Sequence, residues 1–155
     1  MRCSWFSQNF SEEHFREPLA AGELALPVGD VPEPFVDVED IADVAVAALT
    51  DPRHIGELYE LTGPRLLTFA DAVGEIAAAT GREMRFTPVP GDAYAAELAG
   101  QGVPAGLVAL LRYLFAEVLD GRNASLTDGV QRALGRPARD FRDFARRAAA
   151  AGAWA

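Results

Sequence analysis

The chain has 155 residues, half of them hydrophobic, and 14 basic against 23 acidic side chains give it a net charge of −9. That length and apolar content specify a single domain with its own core, 1–155, and exclude a disordered tail. Every basic residue is arginine, which excludes Schiff-base, P-loop and Tyr-x-x-x-Lys chemistry, while the acidic balance argues against a nucleic-acid partner.

In chain order, the first landmark is Cys3, the sole cysteine. It has no internal disulfide partner, which suits a reducing compartment. No signal-peptide pattern opens the chain, and no apolar run approaches the roughly 18 residues of a membrane helix. The expectation is a cytoplasmic domain without a membrane partner. Next comes an aromatic stretch, Trp5-Phe6-Ser7-Gln8-Asn9-Phe10, and an acidic segment through Glu17 that reads as helical.

Residues 22–29 alternate polar and apolar between glycines, a short strand signal. Pro32 and Pro34 then force an extended approach to Phe35. Asp37 stands where an N-cap belongs, ahead of a helix over 38–49 with Ile41, Val44, Ala45 and Ala48 as its apolar stripe. Residues 57–62 alternate as a strand, and Gly63-Pro64 turns the chain. Thr68 caps a helix that runs to Thr80 and stops at Gly81. Residues 84–90 read as a further strand. From Gly91 the chain is helical, with segments over 92–100, 104–119, 127–134 and 140–151. Residues 1–90 thus hold the strand and helix units, and 91–155 the helical part. The fold class is α/β, with a small, mostly parallel sheet of three or four strands.

Few motifs carry chemistry. Gly-x-Gly-x-x-Gly is absent from these residues, and the glycines at 100–106 and 129–135 lie in or between helices. His14 and His54 lack the companions of a metal site, so no metal is expected. Asp37, Asp40 and Asp43 share one side of a helix start. They read as capping residues, with acid/base work or a hydroxyl anchor as the functional alternative. Trp5, Phe6, Asn9 and Phe10 read equally well as the wall of a flat-ligand pocket and as ordinary core.

The order of these segments resembles a known family. Residues 2–10, with Arg2, Trp5, Phe6 and Asn9, resemble the stretch after the sixth strand of NmrA-like atypical short-chain dehydrogenases. Residues 35–42 resemble that family's next strand-to-helix junction. Residues 56–64, then Leu67-Thr68-Phe69 and Thr80-Gly81-Arg82, resemble the strand-helix unit after it. The resemblance spans nearly the whole chain but covers only the C-terminal, substrate-binding half of the family, a partial Rossmann-like fold without the dinucleotide loop.

The resemblance implies NADP or NAD as cofactor, with Cys3, Ser4 and Trp5 near the nicotinamide. It places Trp5, Phe6, Asn9, Phe10 and Phe35 at a substrate pocket for a small aromatic or quinone-like molecule. A nucleotide-binding partner chain would complete such an oxidoreductase. Two alternatives remain open. One is a cofactor-free isomerase, cyclase or hydrolase using Asp37, Asp40 or His14, and the other is a non-catalytic binding or regulatory module. In every case the apolar faces of helix 38–49 and the adjacent strands predict self-association, most simply as a homodimer.

Overall fold

A computed structural model describes residues 1–155, the side chain of Glu13 excepted. Strand β1 (Arg2–Cys3) lies parallel to β3 (Glu60–Leu61), with Arg2 opposite Glu60 and Cys3 opposite Leu61. Strand β2 (Glu23–Leu26) lies parallel to β4 (Arg85–Pro88). Helices α1 (Glu13–Ala21), α2 (Val38–Thr50), α3 (Phe69–Thr80), α4 (Gly91–Gly100), α5 (Ala105–Tyr113), α6 (Gly129–Leu134) and α7 (Phe141–Ala150) surround them. The result is an α/β, Rossmann-like arrangement, because parallel strands need helical crossovers to return the chain to the same end.

The sheet differs from the expected one in two respects. It is two separate two-stranded ladders, with a parallel bridge from Phe6 to Val36 and an antiparallel one from Glu33 to Leu67 standing outside both. Pro32 and Pro34 keep the Glu33 bridge from growing into a strand, since neither offers an N–H to a continuous ladder. The strands are also shorter than predicted. Of the alternating run 57–62 only Glu60 and Leu61 form a strand, because the two-residue β1 offers no longer partner. The bonds that anchor this pair run from Arg2 N–H to the Tyr59 carbonyl at 2.9 Å and from Ser4 N–H to Leu61 at 3.1 Å.

Helix boundaries follow their caps. The Asp37 carboxylate accepts from the Glu39 N–H at 3.0 Å. Thr68 and Asp71 form a reciprocal capping box, which satisfies two otherwise orphaned donors. The predicted helix 104–119 is regular only to Tyr113 and then widens into a π turn over Leu114–Val118, closed by Leu119 N–H to the Leu114 carbonyl at 3.0 Å. The predicted helix 127–134 starts two residues late. Thr127 is drawn to β3 instead, its N–H donating to Thr62 Oγ1 at 3.0 Å and its hydroxyl to the Glu60 carbonyl at 2.5 Å. Gly129 follows because a Cβ there would lie 2.0 Å from the Glu60 oxygen.

The main core is aromatic. Phe10 meets Phe15, Phe35, Phe69 and Phe141 at centroid separations between 5.1 and 5.7 Å, mostly edge to face as ring quadrupoles prefer. Each such ring contributes roughly 1.5–3 kcal/mol by burial. Trp154 closes the core from the far end of the chain, its indole N–H donating to the Phe10 carbonyl at 2.7 Å. A smaller cluster of Val36, Val44, Tyr59, Leu61 and Val130 lies between α2 and α6. Among the described residues, no helix is long and apolar enough to cross a membrane.

Candidate functional site

A cleft of about 650 Å³ opens beyond the carboxyl ends of β1 and β3. Cys3, Ser4, Trp5 and Phe6 continue β1 along one side of it, and Leu61 and Thr62 continue β3. The opposite wall is Leu114 and Val118 of the π turn, followed by Arg122 and Asn123. A second cleft, about 410 Å³, lies across Trp5, Phe6, Asn9 and Leu114, which line both, and is bounded by His14, Tyr94 and Phe115. Trp5 stands between the two, edge-on to Phe69 at 5.9 Å and tilted on Phe115 at 5.8 Å.

The floor of the larger cleft is the segment around Glu33. Its backbone is fixed from both flanks. Glu33 N–H donates to the Leu67 carbonyl at 2.9 Å, and Leu67 N–H returns a bond to Glu33 at 3.0 Å. The Pro34 carbonyl accepts from Ser4 Oγ at 2.5 Å and from Gly63 N–H at 3.0 Å. Gly63 is required there, since a Cβ would lie 2.1 Å from the Phe35 carbonyl oxygen.

Glu33 itself lines the cleft, yet none of its surface reaches solvent. Neither of its carboxylate oxygens has a hydrogen-bond partner among the described residues. Burial without a counter-charge disfavours the anion and pushes this carboxyl up to about 7. Burial likewise raises the Cys3 thiol, against a smaller opposing pull from the N-terminal ammonium, so Cys3 is no ready thiolate at neutral pH.

The residues singled out from sequence divide into three groups. Cys3, Ser4, Trp5, Phe6 and Asn9 line the larger cleft. Phe10 and Phe35, expected at the pocket, are instead packed in the aromatic core at 0% and 2% exposure, with no face left for a ligand. Asp37 and Asp40, the acid/base alternatives, are fully engaged. Asp37 accepts from Gln8 Nε2 at 2.8 Å and pairs with Arg147. Asp40 is buried and pairs with Arg136 at 2.7 Å and with Arg139. Both tie α2 to the C-terminal segment. His14 is exposed at the second cleft. His54 hydrogen-bonds the Tyr59 hydroxyl at 2.7 Å. Among the described residues, no three of His, Cys, Asp and Glu come together as a metal site. Sequence reasoning missed Glu33, whose one signal is a carboxylate held between two prolines, and it missed Thr62, Arg122 and Asn123 altogether.

Comparison with known proteins places this geometry. No family model matches the chain. It is 36% identical over 130 residues to the NAD(P)H azoreductase of Xenophilus azovorans, covering 84% of this chain and 46% of the relative. The triphenylmethane reductase of Citrobacter sp., solved with NADP(H), superposes with a TM-score of 0.81 at 19% identity over 95% of this chain and 51% of its own. The NADPH-dependent quinone oxidoreductase QOR2 of Escherichia coli, solved with NADPH, superposes at 0.79 and 21% identity, over 94% of this chain and 51% of its own. The chain is similar in sequence to part of the azoreductase and in fold to part of the two solved reductases. It spans about half the length of the curated relatives it matches.

The residues present fit a dinucleotide only in part. In Rossmann-like folds, a phosphate cradle needs glycines whose missing Cβ makes room for the ligand. Here the crowded glycines, Gly63 and Gly129, make room for the chain's own carbonyls. The two arginines of the cleft are occupied, Arg2 by Glu60 and Arg122 by Asp120. The cleft accommodates a ring-sized group at its aromatic wall, while the described residues offer no dedicated cradle for the phosphates.

Proposed function

We propose that this chain supplies the substrate-binding side of an NAD(P)H-dependent reductase acting on a small aromatic or quinone-like compound. The observation that carries the reading is the position of the cleft. In open α/β sheets, ligands bind outside the carboxyl ends of parallel strands, and Trp5 and Phe6 stand at that place beside β1. Cys3, Ser4 and Trp5 would face the nicotinamide, which supplies a hydride when bound. The phosphates would be held by a second polypeptide segment, consistent with relatives about twice as long. Exposed Val46, Leu49 and Ile55 would pack on that segment or on a second copy of the chain, in a reducing cytoplasmic setting.

The test is a titration of the purified chain with small aromatic ligands and, separately, with NADPH and NADH. Followed by calorimetry and tryptophan fluorescence, aromatic ligands are expected to bind and to perturb Trp5. Trp5→Ala should abolish that binding while Trp154 still reports an intact core. Reduction of quinone or azo compounds should appear only when a nucleotide-binding polypeptide is supplied. Aromatic binding unaffected by Trp5→Ala would refute the assignment of the cleft. Glu33 sustains a second reading, a cofactor-free acid/base enzyme, which turnover without nucleotide would establish in place of the first.

A further inference from the structure

The polar feature of the cleft that demands explanation is Glu33. A buried carboxyl ordinarily meets an arginine, a backbone N–H or a hydroxyl, because an unmet one costs folding free energy. Glu33 meets none, although it is held in place by its paired backbone bonds to Leu67 and by a proline on each side. Leu67 opposite it is apolar. The charged and titratable groups that share its cleft are Arg2 and Cys3 of β1, Glu60 of β3, and Arg122 beyond the π turn. Both arginines pair with other carboxylates, and neither bonds Glu33. The form this site tolerates is the neutral acid, whose O–H has no acceptor among the described residues.

We propose that Glu33 is the hydrogen-bond donor of the cleft, its side chain turning from its buried position to give its carboxyl O–H to the carbonyl oxygen of a flat aromatic ligand stacked at Trp5 and Phe6. The inference rests on the reading of the cleft as an aromatic-ligand site, and it adds the functional group that the site selects. A buried neutral donor favours rings that bring an acceptor, because only those give its unpaired O–H a partner. It also ties binding to proton occupancy. A carbonyl ligand is held while the acid keeps its proton and released as the pH rises through about 7.

The experiment compares three probes on one ring frame by ligand-observed NMR at pH 5.5 and 8.5. They are indane, its ketone 1-indanone, and the cation 1-aminoindane. The chain is expected to bind 1-indanone about ten-fold more tightly at pH 5.5 than at pH 8.5, a difference of about 1.4 kcal/mol, and more tightly than indane at the lower pH. Glu33→Gln keeps a donor of the same shape, so its affinity for 1-indanone should be high and equal at both pH values. Glu33→Leu should bind ketone and hydrocarbon alike. Equal binding of 1-indanone and indane by the unaltered chain would overturn the donor role and leave the aromatic cleft standing. A preference for 1-aminoindane that grows with pH and vanishes in Glu33→Gln would make the residue a counter-ion and overturn the proposal. Failure of all three rings to bind would remove both the donor role and the cleft reading beneath it.

Discussion

Glu33→Gln should change how the stability of this protein depends on pH, and the size of the change follows from the site. In the unfolded chain this carboxyl titrates at its ordinary 4.5, whereas in the folded chain burial moves it to about 7. Between those values the native state keeps a proton that the unfolded state has lost, so stability falls as pH rises and levels off above 7. The full difference is about 3 kcal/mol, of which about 2 kcal/mol falls between pH 5.5 and 8.5. Carboxylates held low by arginine, Asp43 and Asp140 among them, act in the opposite sense. Their stabilisation is present above about pH 4 and lost as the pH falls below it, outside this window. Urea unfolding followed by circular dichroism at pH 5.5, 7 and 8.5 measures the effect, and subtracting the Glu33→Gln curve cancels every other titrating group. Parallel pH profiles for the two proteins would refute the reasoning, since they would mean that Glu33 finds a polar partner the geometry does not provide.

Four further substitutions test the packing and the wall of the cleft. Gly63→Ala forces a Cβ to within 2.1 Å of the Phe35 carbonyl and should cost about 3 kcal/mol, the upper end for overpacking against backbone, seen as a lowered urea midpoint. Asp40→Ala leaves Arg136 and Arg139 without their buried counter-charge. About 2 kcal/mol should be lost, less than for a fully broken buried pair, because both arginines keep roughly a third of their side-chain surface in water and their pairing with Asp43. Phe10→Ala opens a cavity among four phenylalanines and should cost about 4 kcal/mol by thermal or chemical unfolding. Trp5→Ala, at a partly exposed ring, should lose aromatic binding at a smaller cost in stability.

Much of the fold was legible because its signals are local. Asp37 and Thr68 cap helices through bonds to residues two and three positions away, and short-range chemistry of that kind is written in adjacent letters. Strand extent was less legible, since β3 is as long as its partner permits and not as long as its alternation suggests. The division into two ladders has no local signal, since each pairs residues about 60 positions apart. The late start of α6 depends on Thr127 meeting Thr62, a contact 65 residues apart that no window along the chain contains.

The site shows the same limit more sharply. Trp5, Phe6 and Phe10 are equivalent as sequence, three aromatics within six residues, and only the packing separates Phe10 at the centre of the core from Trp5 and Phe6 at the cleft. Asp37 and Asp40 looked chemically attractive for the reason that makes them structural. A carboxylate at a helix start meets donors, and here Gln8, Arg136, Arg139 and Arg147 complete the set. Glu33 is the reverse case. Nothing near it in sequence marks it except its prolines, neither of which has an N–H to offer its carboxyl. The feature that hid the residue from a helix or strand reading is also one that leaves its acid unpartnered at the floor of the cleft.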